Sequence, residues 1–304
     1  MILVAIAVIL ATAVGVAGER RYAGARTAAR RTLVVMLYLL VPFVSFVNIA
    51  HLKVTAGTGI GLAFAWVTVA VIGGAAFAIG RFGLGLSNPQ LGAVICSVIV
   101  VNTGYLGFPM AVALLPGGAL GSAVAYDQLV SGPSLFLVAF AVGAALGEHA
   151  SDGGWARVRT FLTRNPPLIA AIAGLLAPPS LAPAPLPAIS HGVVAGLLLL
   201  GFFAVGVNLS AERRKDDAPL IELPDRPVAL ALGLRIVAAP LLLAAMSAAF
   251  VRLPAAYLLQ AAMPAGINSL IVGNVYGLDQ RMIATTIVWG TAAILVVGFV
   301  LATL

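Results

Sequence analysis

Two short stretches interrupt long apolar runs with residues suited to binding a solute. NTGYLGFP, Asn102 to Pro109, and MPAGINS, Met263 to Ser269, each combine asparagine, a hydroxyl residue, glycine and proline. Proline removes a backbone donor and clashes with the carbonyl four residues back, while glycine tolerates unwound backbone, so both stretches are expected to break a helix. In hydrocarbon such a break survives only where it is buried in protein or lines a polar cavity. The N-terminus of a half-helix then offers free N–H groups and a partial positive charge, which suits a carboxylate. The amides of Asn102 and Asn268, with Thr103 and Ser269, are able to complete that shell, and Gly104, Pro109 and Pro264 shape the breaks. The plainer alternative is a pair of ordinary proline kinks.

Few other chemically capable residues lie inside apolar runs, where a charge costs about 2.5–3.5 kcal/mol on insertion scales. Asp127, with Gln128 beside it, is the deepest acid and the leading candidate for proton or cation coupling; its alternative is a structural partner for a polar group on a neighbouring helix. Arg235 either helps to hold an anion or snorkels to the interface. Asn48 and Asn208 either line the site or join helices by hydrogen bonds worth about 1 kcal/mol. His51, His149 and His191 lie at span ends or loops, far apart in sequence, and Cys96 is the only cysteine, so neither a metal site nor a cofactor is expected. There is no H-E-x-x-H, no G-x-S-x-G, no Walker lysine motif and no pair of intramembrane acids, so no enzyme is expected.

The elements that must position these residues are spans. Of the 304 residues, 62% are hydrophobic and 9% charged, against about 25% charged in a soluble domain, and the mean hydropathy is +1.10. This excludes a water-soluble fold and predicts an all-α polytopic membrane protein in the cell's inner or plasma membrane. Apolar runs of about 17 to 25 residues recur, the length that crosses the bilayer, without the alternation of barrel strands. Ten helices are expected, at approximately 2–18, 33–50, 58–80, 89–115, 119–147, 166–178, 188–209, 227–250, 254–277 and 280–303. The first run lacks the charged start of a signal peptide and reads as a span. Asn88 and Asn165, each followed by proline, and Asp279 are expected helix caps. PPSLAPAPLP, 178–187, reads as a stiff connector.

Fourteen of the 17 Lys and Arg residues fall in loops after odd-numbered helices, Lys53 and Arg252 fall opposite, and Arg235 lies within a span. The +7 net charge therefore reads as topology, with both termini outside, rather than as nucleic-acid affinity. LYLLVPFVSFVNIAHLK, 37–53, aligns without gaps on LLLLGFFAVGVNLSAER, 197–213, pairing Asn48 with Asn208. This predicts two five-helix repeats, 1–150 and 151–304, the second inverted because five is odd, a plan of many secondary transporters.

PFVSFVNIA, NTGYLGFPMA, NPPLIAAIAGLL and MPAGINSLIVGNVYGLD, in this order across nearly the whole chain, resemble the auxin efflux carrier family, which includes bacterial malate-permease-like proteins. The resemblance implies inverted repeats, broken fourth and ninth helices that cross at the substrate site, and transport of organic anions by an elevator-like motion. It places the crossovers at Asn102 to Pro109 and Pro264 to Ser269. The related fold also suggests a homodimer. The sequence departs from the plant carriers in having no long loop between helices 5 and 6 and no acid in helix 3, so a small carboxylate rather than auxin is implied. The competing readings are a sodium- or proton-coupled symporter of the bile-acid-symporter type, using Asp127, and a channel or membrane scaffold.

Overall fold

The computed structural model describes residues 2–53, 55–115, 119–148, 165–215 and 222–303. Twelve helices run through these residues. They are α1 (Ile2–Arg21), α2 (Ala25–Ala50), α3 (Ala56–Gly83), α4 (Asn88–Ile99), α5 (Thr103–Leu114) and α6 (Ala119–Leu146), followed by α7 (Pro166–Leu176), α8 (Pro185–Lys215), α9 (Arg226–Ala249), α10 (Ala255–Ala262), α11 (Asn268–Tyr276) and α12 (Gln280–Thr303). Six of them, α2, α3, α6, α8, α9 and α12, are long and apolar enough to cross a membrane, while α4, α5 and α7 are apolar but shorter. The expected spans at 89–115 and 254–277 are each two short helices separated by extended backbone. His149 and the basic residues Arg157, Arg159 and Arg164 lie outside the described residues.

Local chemistry explains the ends. Asn165 caps α7, its Oδ1 accepting from Leu168 N at 3.2 Å, and Asp279 caps α12 through Met282 N at 3.0 Å. Asn88 is not a cap: Ser87 occupies that position and Gln90 reaches back to Ser87 N at 3.3 Å, leaving Asn88 and Pro89 in the first turn. The connector at 178–187 makes one short turn at Pro179–Leu181, and α8 starts at Pro185. α2 begins earlier than expected, because ARTAARRT is built of good helix formers that divide into two faces. Ala25 and Ala29 are buried, while Arg26, Arg30 and Arg31 are exposed.

α1 packs along α8, and α7 packs along α2. The first pair comes close enough for backbone contact because each helix offers glycine at the crossing. A methyl on Gly15 would overlap the Phe203 carbonyl, and one on Gly206 would overlap that of Thr12. Gly174 of α7 lies against the Phe46 carbonyl of α2 in the same manner. A separate, larger core gathers side chains of α3, α4, α6 and α9 to α12, including Leu91, Ile99, Leu243, Tyr257, Val272 and Ile283.

Candidate functional site

The two breaks meet. Val101 and Ala265 form an isolated antiparallel bridge, with Asn102 N donating to Pro264 O and Gly266 N donating to Val100 O, both at 2.9 Å. The extended backbone between α4 and α5 thereby satisfies that between α10 and α11, which answers the main objection to unwound chain at membrane depth. This pairing is more than a pair of proline kinks, since each break supplies the other's hydrogen bonds.

Beside the bridge lies a cavity of about 280 Å3. Its wall includes the first turn of α5 (Asn102, Thr103, Gly104, Tyr105), the start of α11 (Gly266, Ile267, Asn268) and one stretch of α6. Asn102 is buried and acts as the cap of α5, its Oδ1 accepting from Leu106 N at 3.2 Å and its carbonyl from Gly107 N at 3.0 Å. Its amide nitrogen has no hydrogen-bond partner among the described residues. Asn268, the first residue of α11, is half-buried in the cavity wall. The two asparagines thus stand at corresponding ends of two half-helices, both with N-termini at the cavity.

α6 brings the acid. Asp127 opens a widened turn, Asp127–Ser131, just ahead of Pro133. Proline at 133 cannot donate to the carbonyl of Leu129, and Trp66 of α3 takes that carbonyl through Nε1 at 3.0 Å. The Asp127 carboxylate faces the cavity, with Oδ1 accepting from the Thr103 hydroxyl and Oδ2 from Gln128 Nε2 at 2.7 Å. A carboxylate therefore already sits against the positive end of α5, where an incoming anion was expected.

The other expected site residues separate. Pro264 takes part through its carbonyl, and Ser269 turns its hydroxyl back to Gly266 O at 2.6 Å, bracing the turn rather than lining the cavity. Pro109 is buried in the second position of the regular part of α5. Asn48 donates to Val44 O at 2.8 Å and to Ser190 Oγ at 3.0 Å, joining α2 to α8 outside the cavity wall. Asn208 lies half-buried on α8, also outside that wall.

Arg235 neither lines the cavity nor snorkels. Its side chain is 3% exposed, and the guanidinium spans two helix ends, Nη1 donating to Val98 O of α4 at 3.0 Å and Nη2 to Ala261 O of α10. Both carbonyls belong to last turns, where helices lack internal partners and carry partial negative charge. One cation thus compensates the C-terminal ends of both half-helices that precede the breaks.

Gln260 was not singled out by the sequence. From α10 its Nε2 reaches Thr103 O at 3.3 Å and Ala123 O at 3.2 Å, linking α10, α5 and α6 directly behind the cavity. Gly107 makes this possible, because a Cβ there would overlap the Gln260 amide. The available signal was a fully buried-type apolar run, AAYLLQAAM, carrying one polar residue a turn before the break.

Known proteins bear on this arrangement through one family. The membrane transport protein family matches residues 161–301, which run from before α7 into α12 and contain the second break and Arg235. No curated protein matches the chain. With the apolar helices described above, the match supports an integral, multi-pass membrane protein, and over these residues the chain is similar to the membrane transport protein family, in agreement with the resemblance to the auxin efflux carriers.

Proposed function

We propose that the chain is a secondary active transporter that moves a small organic anion by alternating access, binding it in the cavity between the N-termini of α5 and α11. The observation that carries this reading is the mutual backbone pairing of the two breaks beside that cavity, with Asn102 and Asn268 at its edge. Discontinuous helices in corresponding positions of two halves are where transporters bind substrate. The packing supports an elevator-like motion: α1, α2, α7 and α8 pair with one another, while α3, α4, α6 and α9 to α12 share the larger core. In this reading the halves are inverted repeats, 1–150 and 151–304, and the termini face outward.

Asp127 adds a coupling step. At 4 Å two like charges repel by about 4 kcal/mol at an effective dielectric of 20, so an anion entering beside this carboxylate requires its charge to be neutralised. A proton or a sodium ion that binds with the substrate does so, which makes the transporter a symporter. The test is uptake by proteoliposomes of labelled mono- and dicarboxylates of graded size, with proton and sodium gradients applied separately. Saturable uptake that falls at least tenfold in both Asn102→Ala and Asn268→Ala is expected; a folded Asn102→Ala protein that transports normally removes the cavity from the mechanism.

A further inference from the structure

We propose that the groove between α1, α8 and α12 binds an anionic phospholipid, with an acyl chain along the groove and the phosphate on Arg20 and Arg21. The groove encloses about 880 Å3, roughly three times the crossover cavity, and is walled by apolar residues such as Val8, Val16, Phe202, Leu209, Leu295 and Phe299. Two threonines share the wall: the Thr12 hydroxyl donates to Val8 O at 2.7 Å, which leaves the buried hydroxyl of Thr291 as the one uncharged side-chain donor without a partner among the described residues there. A hydrocarbon chain is the occupant that such a surface takes.

Length and charge identify the lipid class. From Val8 to Arg21 the wall of α1 runs about 20 Å at 1.5 Å per residue, comparable with one leaflet of a hydrocarbon core about 30 Å thick plus the start of the headgroup layer. Two guanidiniums stand at one end. Arg20 and Arg21 are exposed in the last turn of α1, line the groove and have no ion-pair partner among the described residues, whereas the neighbouring Arg26 is paired with Glu19 at 2.6 Å. A phosphodiester matches them in sign and in hydrogen-bonding geometry. Basic residues between helices on the side that retains positive charge are where acidic headgroups bind. A second copy of the chain seated in this groove would instead bury two unpaired cations against apolar surface, at a high desolvation cost.

The test uses the full-length protein, delipidated in detergent and mixed with phosphatidylglycerol or phosphatidylcholine of identical acyl chains, with retained lipids counted by native mass spectrometry. One arginine near an anionic headgroup contributes about 1 kcal/mol, or about fivefold, so wild-type protein is expected to retain phosphatidylglycerol five- to thirtyfold over phosphatidylcholine. Arg20→Gln with Arg21→Gln should equalise the two. Ala13→Trp, which fills the groove, should lose both lipids, while Val71→Trp on the exposed face of α3 should lose neither. Equal retention by wild type, or unchanged retention in the folded arginine double variant or in Ala13→Trp, overturns the proposal. So does a wild-type dimer that Ala13→Trp splits without changing lipid retention.

Discussion

The Thr103 hydroxyl, in the first turn of α5, donates to one carboxylate oxygen of Asp127 on α6, so the acid of the cavity is held against the positive end of a half-helix. Position and charge both follow from this contact. The acid occupies the place that the helix end makes favourable for a negative charge.

Asp127→Asn should therefore separate binding from coupling. The amide keeps the hydrogen-bonding shape but carries no charge to neutralise, so gradient-driven uptake is expected to fall at least tenfold while counterflow exchange of labelled substrate persists. Thr103→Ser should behave as wild type, and Thr103→Val should resemble Asp127→Asn in weaker form. Accumulation by Asp127→Asn that still responds to a proton or sodium gradient rejects the coupling role.

Arg235→Met should destabilise the protein without an effect confined to substrate affinity. The substitution removes two charge-assisted hydrogen bonds from the ends of α4 and α10, each worth about 1.5–3 kcal/mol. A marked drop in melting temperature is the expected result, with Arg235→Lys intermediate because a single ammonium does not span both carbonyls as the planar fork does. A normal melting temperature with weakened substrate binding would instead mean that Arg235 meets the anion.

Two asparagines should part company. Asn102→Ala removes the cap of α5, about 1 kcal/mol, together with a donor at the cavity edge, and transport should be lost. Asn48→Ala removes the bond to Ser190 between α2 and α8, worth about 1 kcal/mol, and transport should continue at half the wild-type rate or more. Proteoliposome uptake normalised to folded protein distinguishes them, and equal loss in both places Asn48 in the transport path.

Gly206→Leu should uncouple α1 from α8. The added side chain has no room against the Thr12 carbonyl, so the helices must separate and lose contacts along their length. Size-exclusion profiles and melting temperature report this, and a monodisperse protein of unchanged stability would show that the crossing tolerates a wider spacing.

Much of this protein is legible in its linear order because the bilayer imposes its own rule: backbone polar groups must pair internally, so long apolar runs must be helices. Six such runs, the caps at Asn165 and Asp279, and the breaks around Asn102 and Pro264 follow from local composition alone. The role of Arg235 does not, since a charge within a span reads the same whether it meets a substrate, the interface or the carbonyls of Val98 and Ala261. The role of Gln260 is not legible in the sequence either, because the space it fills is defined by Gly107, more than 150 residues away in the chain. Asn48 and Asn208 are equivalent by spacing, yet Asn48 spends its amide on Ser190, a contact that no repeat pattern encodes. Composition and periodicity specify what each segment must be, for those depend on neighbours in sequence and on the solvent. Which carbonyl a buried cation caps, and which carboxylate sits at which helix end, depend on segments brought together only by packing.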